Sequence, residues 1–385
     1  MDIISIIVMV LEVVAIFAWS SYTAFALLGL SANLLYKQKK SEKRAVNVEF
    51  VIVSIASNSV KNALYECIEH TRKNFNHILK YPITILINEE AELKKEIYDF
   101  IKDIPKIRII EVPLDYNKNL IGKGRAIDYF IKKYVQETEW YVFLDDDNII
   151  KDDAFLYEIP FYDKQGYAVA NPILVPREAK SRISYLMDYI RFADDIMIFK
   201  FFTGLLKKPL LGLHGELLIT KGKYLKNIDS YSIPSLTEDY VYSANLIKQR
   251  CKSWQSATKV SIKSPNTLND LFKQRKRWYC GISNYLFSSS IEQRLVVGLR
   301  LILWNLGIFS GWLLVPLWLL VFHLPLIVFI IFLIGAGYYW LSYIYGIVKN
   351  KYWIYFTLIP LMAVLETLSI FLIRKTKKFY VINKN

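Results

Sequence analysis

Three consecutive aspartates, Asp145, Asp146 and Asp147, follow the apolar stretch 140–144. That stretch is typical of a buried parallel strand, and ligands of open α/β sheets bind at the carboxyl ends of such strands. Adjacent carboxylates repel one another unless a cation or solvent neutralises them, and Mg²⁺ or Mn²⁺ is held by carboxylates together with substrate phosphates. The aspartates therefore predict a metal site that carries a diphosphate. The alternative is an acidic turn in which Asp147 or Asn148 caps the next helix.

A second acidic group, Thr237-Glu238-Asp239, stands at the start of a predicted helix. Helix capping would account for these residue types. Alternatively, Asp239 is a general base that takes the proton from an attacking hydroxyl group beside a metal–diphosphate site. The sequence alone leaves both hypotheses open.

Basic residues in two places could bind phosphate. In the stretch 274–279, Arg277 would face a phosphate while the indole of Trp278 offers a flat surface to a sugar ring. Lys123 and Arg125 open a predicted helix, where a diphosphate could bind. The alternative for the stretch 274–279 is a basic helix that contacts anionic lipid headgroups. The alternative for Lys123 and Arg125 is that both cations are exposed and solvated.

Several other kinds of site are not indicated. The chain has no G-x-G-x-x-G and no G-x-x-x-x-G-K-[ST] motif, so neither a dinucleotide fingerprint nor a P-loop is present. Its 3 cysteines are widely spaced, which indicates neither a disulfide framework nor a zinc site. With only 4 histidines a His-based metal site is not expected, and His214, in the glycine-flanked stretch 212–215, is interpreted as structural.

Strand-like and helix-like segments alternate through the middle of the chain. Strands are predicted at 48–57, 83–87, 107–112, 140–144 and 167–175, and helices at 60–79, 91–101, 122–135, 182–202 and 237–247. Such alternation predicts an α/β fold with a doubly wound, mostly parallel sheet.

Composition and charge indicate a membrane protein. The chain of 385 residues is 54% hydrophobic and carries a formal net charge of +14, which suits a basic cytoplasmic face; no nucleic-acid-binding motif is present, so nucleic acid is not an expected partner. Residues 3–35 are nearly free of charge and long enough to form an uncleaved membrane anchor. The basic cluster at 37–44 places the amino terminus outside and the following domain in the cytoplasm.

Three apolar stretches near the carboxyl terminus, 295–322, 324–348 and 352–373, are each long enough to span a bilayer. Basic clusters at 349–351 and 374–378 both favour the cytoplasm, which two crossings satisfy and three do not. Pro360 and Glu366 in the last stretch favour a re-entrant or in-plane segment. We therefore predict three spans in total, with four as the alternative.

The order of these elements resembles the family 2 inverting glycosyltransferases, which include cellulose and hyaluronan synthases. The chain is most similar to the Egghead-type β-1,4-mannosyltransferases within that family. The likeness covers most of the chain and lies in the stretches 123–126 (KGRA), 191–195 (RFADD), 214–215 (HG), 264–278 (SPNTLNDLFKQRKRW) and 379–384 (FYVINK).

The resemblance implies a role for each matching residue. Asp145 and Asp147 would bind Mn²⁺ or Mg²⁺, Asp239 would be the general base, and Gln274, Arg277 and Trp278 would lie by the donor diphosphate and the acceptor. The implied catalytic residues are Glu238, Asp239, Gln274, Arg277 and Trp278. The implied donor-binding residues are Ala56, Ser57, Asn58, Asn88, Glu89, Lys123, Arg125, Asp145 and Asp146.

The resemblance also implies a GT-A domain and a membrane-bound activity. The expected organisation is an anchor at 1–36, a cytoplasmic GT-A domain at 46–292 and membrane or interfacial helices at 293–385. The expected reaction moves a hexose, with GDP-mannose favoured as the nucleotide-sugar donor, to a polyprenyl- or glycolipid-type acceptor to form a β-linkage. The enzyme would lie in the plasma membrane, or in the ER or Golgi of a eukaryote, in contact with membrane lipids. The alternatives are a processive polysaccharide synthase that uses a UDP-sugar, and a non-catalytic membrane scaffold or transporter.

Overall fold

Four parallel strands form one half of the central sheet in the computed structural model, which describes residues 3–77, 79–306 and 325–371. These strands are β1 (Val48–Val53), β2 (Ile83–Asn88), β3 (Ile107–Val112) and β4 (Trp140–Asp145), in the spatial order β3-β2-β1-β4. Every residue of β1 is buried, as expected for an apolar strand that is covered on both faces.

Helices cover both faces of these strands because successive side chains point to opposite sides. Phe50 and Ile52 pack with α2 (Lys61–Thr71) and α3 (Lys94–Ile101), and a π-helical turn, Arg72–His77, follows α2. Val51 and Val53 pack on the other face with α4 (Lys123–Tyr134). This half of the fold agrees closely with the segments predicted from the sequence.

The second half of the sheet is mixed. After the two-residue β5 (Ile149–Ile150) and helix α5 (Ala154–Lys164) come β6 (Tyr167–Arg177), β7 (Leu217–Lys221) and β8 (Lys252–Lys263), which extend the order as β4-β7-β6-β8-β5. Strand β7 is antiparallel to both β4 and β6, whereas β6 and β8 are parallel. The predicted α/β class with a mostly parallel sheet is therefore confirmed.

Strand β8 was not predicted because its sequence is largely polar. Ser253, Gln255, Ser256 and Thr258 are all buried in this strand, where the sheet satisfies groups that normally lie in solvent. Gln255, for example, donates to the carbonyl of Pro172 at 2.7 Å. Hydrophobic periodicity cannot reveal a strand of this kind.

A helical layer lies beside the sheet. The single helix predicted at 182–202 is two short helices, α6 (Arg182–Met187) and α7 (Tyr189–Asp194), followed by a π-helical segment, Asp195–Leu205. After α8 (Gly222–Asn227) and α9 (Glu238–Lys248), the layer continues with α10 (Leu268–Leu286) and α11 (Ile291–Leu299). A π-helical segment shifts the side chains that follow it relative to an α-helix, and such segments are frequent at functional sites.

The most apolar helices pack against this layer. Both α1 (Ile3–Leu35) and α12 (Leu326–Asn350) are long and apolar enough to cross a membrane. They contact each other where the rings of Trp19 and Phe332 lie 5.0 Å apart and Thr23 donates to the carbonyl of Ile331 at 2.5 Å. Helix α1 also passes the π-helical segment closely, since a Cβ added at Gly29 would lie 2.7 Å from Cβ of Met197.

The last predicted apolar stretch does not form one long helix. It contains a 3₁₀ helix, Trp353–Leu358, and then α13 (Ile359–Phe371). The 13 residues of α13 extend about 20 Å, less than the roughly 30 Å of a hydrocarbon core. Most of the predicted span at 295–322 and all of the motif at 379–384 lie outside the described residues, so the number of spans stays a prediction.

Candidate active site

A cavity of about 200 Å³ lies where α4, the end of β4, the loop before β7, α9 and α10 meet. Its sheet-side wall, as we call it, consists of Lys123, Asp145, Glu238 and Asp239. A second set of lining residues, which we call the helical wall, consists of Arg191, Arg275, Arg277, Trp278 and Arg300. The cavity thus contains residues from most of the motifs that the sequence singled out.

Lys123 links the two acidic groups across the sheet-side wall. Its Nζ lies 2.8 Å from Oδ1 of Asp145 and 3.4 Å from Oε1 of Glu238. It also donates to the carbonyl of Gly215 at 3.2 Å, while the amide of Gly215 donates to Oδ2 of Asp239 at 3.0 Å. The acids of the two distant motifs therefore converge on one pocket.

Gly215 is the residue that allows this approach. A Cβ at this position would lie 2.5 Å from Nζ of Lys123 and 3.1 Å from Oδ2 of Asp239. A side chain here would displace the Lys123 ammonium group and crowd the Asp239 carboxylate, so glycine keeps this arrangement undisturbed.

Asp239 is in an environment that favours its protonated form. Burial, followed by the charge of the adjacent Glu238, raises the pKa of Asp239 from 3.8 to about 6, although Lys123 opposes the shift. Helix α9 begins at Glu238, and the hydroxyl of Thr237 makes no capping hydrogen bond. Asp239 itself accepts a hydrogen bond from the amide of Tyr240 at 2.8 Å. A carboxylate with a pKa close to neutrality is suited to accept a proton.

Lys123 stays positively charged in this pocket. Burial acts to lower its pKa, but Asp145, Glu238 and Asp239 outweigh that effect and raise the pKa above the usual value of a lysine. A permanent cation at this point would stabilise negative charge on any ligand that approaches Asp145.

The three aspartates after β4 lie in different environments. Asp145 lines the cavity, Oδ2 of Asp146 accepts a hydrogen bond from Ser54 at 2.6 Å, and Asp147 is only 2% exposed and does not line the cavity. The capping alternative for Asp147 or Asn148 is wrong: α5 begins at Ala154, whose amide donates to Asp152 instead.

The carboxylates of this region suit a hard divalent cation only when a bound substrate supplies further oxygen atoms to the metal. Within the described part of the chain, no group of three or more His, Cys, Asp or Glu residues is arranged as a metal site. Mg²⁺ typically takes one or two carboxylates and completes its shell with water and substrate phosphates. Carboxylates of the aspartate triplet supply that kind of partial donor set.

The predicted nucleotide-binding residues lie at the carboxyl ends of β1 and β2. The amide of Ala56, a residue with φ of 45°, donates to the Ser54 hydroxyl at 2.9 Å. Ser57 contacts the hydroxyl of Ser59, and the amide of Asn58 donates to Glu92. Since β1 lies between β2 and β4, these residues share an edge of the sheet with Asp145.

The residues after β2 form a second part of this edge. Arg125 donates to the side-chain oxygen of Asn88 at 2.8 Å, and Oε2 of Glu89 accepts a hydrogen bond from the amide of Leu114. None of these residues lines the cavity. These residues therefore lie along the sheet edge outside the cavity, on the side of β1 and β2.

Helix α10 brings Trp278 into the helical wall. The guanidinium carbons of Arg191 and Arg275 each lie 4.7 Å from the ring centroid of Trp278, within range of a cation–π interaction. Arg277 lines the cavity, whereas Gln274 is 8% exposed and contacts Arg275 beside it.

Sequence reasoning missed the buried ion pairs that support this wall. Arg275 is bonded to Asp188 at 3.0 Å and to Glu366 at 2.9 Å, and all three side chains are at most 8% exposed. The one available signal was Glu366, a charged residue in an apolar stretch that predicted packing against protein. Other pairs join Arg191 to Glu216 and Arg300 to Asp194.

Glu216 differs from Asp239 although both line the cavity. Burial acts to raise the pKa of Glu216, but Arg191, His214 and Lys123 outweigh it and hold the pKa below the usual range. Glu216 therefore stays ionised as a partner of Arg191, while Asp239 can change its protonation state.

Comparison with known proteins places this chain in a family. Residues 140–368 match the model of glycosyl transferase family group 2. The β-1,4-mannosyltransferase bre-3 of Caenorhabditis elegans is 27% identical over 307 residues, which cover 73% of this chain and 66% of that protein. The β-1,4-mannosyltransferase egh of Drosophila melanogaster is 24% identical over 306 residues, which cover 73% of this chain and 67% of that protein.

Among solved structures, the mannosyltransferase PcManGT from Pyrobaculum calidifontis, in complex with GDP-Man and Mn²⁺, superposes with a TM-score of 0.55. The match covers 94% of this chain and 99% of that chain at 11% identity, and it supports the GT-A fold alone. The chain spans 66% of the length of bre-3, just under two thirds.

Proposed function

This chain belongs to glycosyl transferase family group 2, and we propose that it is a metal-dependent, inverting enzyme that transfers a hexose from a nucleotide sugar to a lipid-linked acceptor. The observation that carries this proposal is the meeting of Asp145, Lys123 and Asp239 in one cavity, although Asp145 and Asp239 belong to distant motifs. Membership of a glycosyl transferase family and a pocket that contains Asp145, Lys123 and Asp239 both support glycosyl transfer.

Asp239 is the proposed general base. As the acceptor hydroxyl attacks the anomeric carbon, Asp239 takes its proton, the bond between the acceptor oxygen and that carbon forms, and the bond to the diphosphate oxygen breaks. Attack on the face opposite the leaving group inverts the anomeric centre, so that an α-linked donor yields a β-linked product.

The leaving nucleoside diphosphate needs positive charge beside it. Lys123 and Arg277 line the cavity and would stabilise the departing phosphates. Asp145 and Asp147 would hold Mn²⁺ or Mg²⁺, which, when bound, neutralises charge on the diphosphate. Trp278 would lie by the acceptor, with its ring held by the guanidinium groups of Arg191 and Arg275.

GDP-mannose is the proposed donor. Two relatives are named β-1,4-mannosyltransferases, and the structural neighbour was solved with GDP-Man and Mn²⁺. The sheet edge at the ends of β1 and β2 would bind the nucleotide through Ala56, Ser57, Asn58, Asn88 and Glu89, while Arg125 holds Asn88 in place.

A membrane-bound acceptor accounts for the apolar helices. Two described helices, α1 and α12, are long and apolar enough to span a bilayer, and α12 packs near the helical layer that forms one wall of the cavity. We propose an integral membrane protein with an anchor at 1–36, a cytoplasmic domain at 46–292 and membrane or interfacial helices at 293–385. The acceptor would be a polyprenyl- or glycolipid whose head reaches Asp239.

The proposal is tested with membranes that contain the full chain. Radiolabelled GDP-mannose and a panel of UDP-sugars are each incubated with total lipid extract, with Mn²⁺ or with EDTA, and counts are measured in the lipid phase. Mannose from GDP-mannose should enter the lipid phase only when the metal is present, as a single addition. Long polymer on a gel would instead identify a processive synthase, and absence of both transfer and donor hydrolysis would contradict an enzymatic role.

A further inference from the structure

His214 is a cavity residue that the proposed mechanism does not use. Its side chain is 14% exposed, and its Nε2 lies 2.6 Å from Oδ1 of Asp195. The ring also packs on Phe199, with centroids 4.7 Å apart, and the backbone amide donates to Asn171 at 2.9 Å. The imidazole is therefore held in one orientation.

Asp195 is itself fixed. It is fully buried, and its second oxygen accepts a hydrogen bond from the amide of Leu174 in β6 at 2.8 Å. A buried carboxylate costs free energy unless it is paired, so His214 and Asp195 form a unit in which each needs the other. Such a carboxylate–imidazole pair fixes which ring nitrogen faces the partner.

The other ring nitrogen is available to a ligand. Nδ1 of His214 forms no hydrogen bond with any residue that the structure describes, and His214 lines the same cavity as Asp239. The next residue, Gly215, donates its amide to Asp239, so a single peptide unit connects the imidazole to the hydrogen bond of the proposed base. A molecule whose hydroxyl reaches Asp239 thus comes close to His214.

Charge pairing favours an uncharged group at this point. Two arginines of the helical wall already have carboxylate partners: Arg191 is paired with Glu216, and Arg300 is paired with Asp194. A phosphate group that bound beside His214 would have to displace these carboxylates from the arginines, whereas a hydroxyl group needs only one hydrogen-bond partner.

On the basis of the proposed function, we propose that His214, positioned by Asp195, hydrogen-bonds through Nδ1 to a hydroxyl group of the acceptor next to the one that Asp239 deprotonates. His214 is then an acceptor-binding residue, and Asp195 is a positioning residue. The site takes a polyol such as a sugar ring, and the pair sets which hydroxyl of that ring meets the base.

Two substitutions separate this role from a structural one. The amide of His214→Gln reaches the position of Nε2 and keeps a donor for Asp195, but it lacks an atom at Nδ1. The shorter His214→Asn keeps a polar atom near Nδ1 and loses the partner of Asp195. His70→Gln, on α2 outside the cavity, is the matched control.

The full chain is assayed with GDP-[¹⁴C]mannose in two ways: hydrolysis without acceptor and transfer into total lipid extract. For His214→Gln we expect transfer at limiting lipid to fall about tenfold or more, since one hydrogen bond in a desolvated site is lost, while hydrolysis changes less than about twofold. His70→Gln should match the unsubstituted chain in both assays. Unchanged transfer, or an equal loss of transfer and hydrolysis, would overturn the inference.

Asp195→Asn tests the positioning role. It should raise the KM for lipid and leave the KM for GDP-mannose unchanged, and the double variant with His214→Gln should be no worse than His214→Gln alone. Additive losses, or His214→Gln behaving like the unsubstituted chain while His214→Asn fails, would assign the pair to folding only. If the unsubstituted chain neither hydrolyses nor transfers mannose, the proposed function fails first, which is distinguishable from failure of this inference alone.

Discussion

The two walls of the cavity pair their charges in opposite ways. On the helical wall, Arg191, Arg275 and Arg300 each contact at least one carboxylate, and Arg275 contacts two. On the sheet-side wall, Lys123 contacts the carboxylates of both Asp145 and Glu238 and, beside Gly215, lies close to Asp239.

This difference separates the groups that keep the site in place from the groups that would take part in the reaction. Complete ion pairs keep Trp278 and its neighbours in place because a buried charge that loses its partner is costly. Burial and the charge of Glu238 raise the pKa of Asp239 more than Lys123 lowers it, which leaves this carboxylate ready to take a proton. Glu216 and Asp239, with pKa shifts of opposite sign, show the contrast within one cavity.

Asp239→Asn should have the largest effect on the sheet-side wall. Transfer should fall by about 10²–10⁴-fold, since the proton acceptor is lost, while donor binding is largely kept. Calorimetric titration with GDP-mannose and a lipid-phase transfer assay measure the two quantities. An Asn variant with near-normal transfer would remove Asp239 from the role of base.

Arg275→Met should have the largest effect on the helical wall, and on stability. The change leaves Asp188 and Glu366 buried without their shared cation and should lower the free energy of unfolding by roughly 3–5 kcal/mol. Thermal unfolding in detergent measures the loss.

Two further variants sharpen that stability test. Adding Glu366→Gln to Arg275→Met should recover part of the loss, because one stranded charge is removed. Lys61→Met, which breaks the exposed pair with Glu96, is the matched control and should change the melting temperature little. Equal effects of Arg275→Met and Lys61→Met would mean that burial of the helical-wall pairs adds nothing.

Asp145→Asn and Asp147→Asn should each remove the gain in donor affinity that Mn²⁺ provides, because oxygen ligands of the metal are lost. Asp146→Asn should keep most of that gain, since the Asp146 carboxylate is engaged by Ser54. Titration of GDP-mannose with and without Mn²⁺ measures all three. An unchanged titration for Asp147→Asn would exclude this buried residue from the metal site.

The smallest expected effect is a shift in pH dependence. Because Asp239 must be ionised to act as a base, kcat/KM should fall as the pH drops through about 6, the raised pKa of this residue. Glu238→Gln removes a negative charge that raises this pKa, so the acidic limb should move to lower pH. If the acidic limb of the Glu238→Gln profile stays in place or moves to higher pH, that limb reflects the ionisation of a group other than Asp239.

Much of the fold could be predicted because it depends on local periodicity. The strands at 83–88, 107–112 and 140–145 were placed almost to the residue, and the family resemblance, the α/β class and the glycosyltransferase domain are confirmed. Strand β8 and the π-helical segment after α7 were not predicted, since neither leaves a regular pattern of apolar residues. The roles of individual site residues, the domain bounds and the number of spans stay predictions.

The sequence by itself determined which chemical groups the protein can use: an aspartate triplet after a buried strand, an acid pair at the start of a helix, and an arginine–tryptophan pair beside apolar segments. Only the tertiary structure decided which residues contact these groups and so influence their charge. Arg275 meets Glu366 across 91 residues and Lys123 meets the carbonyl of Gly215 across 92. The physical reason is that periodicity reports contacts within one element, whereas a pKa or an ion pair depends on distances between elements that are remote along the chain.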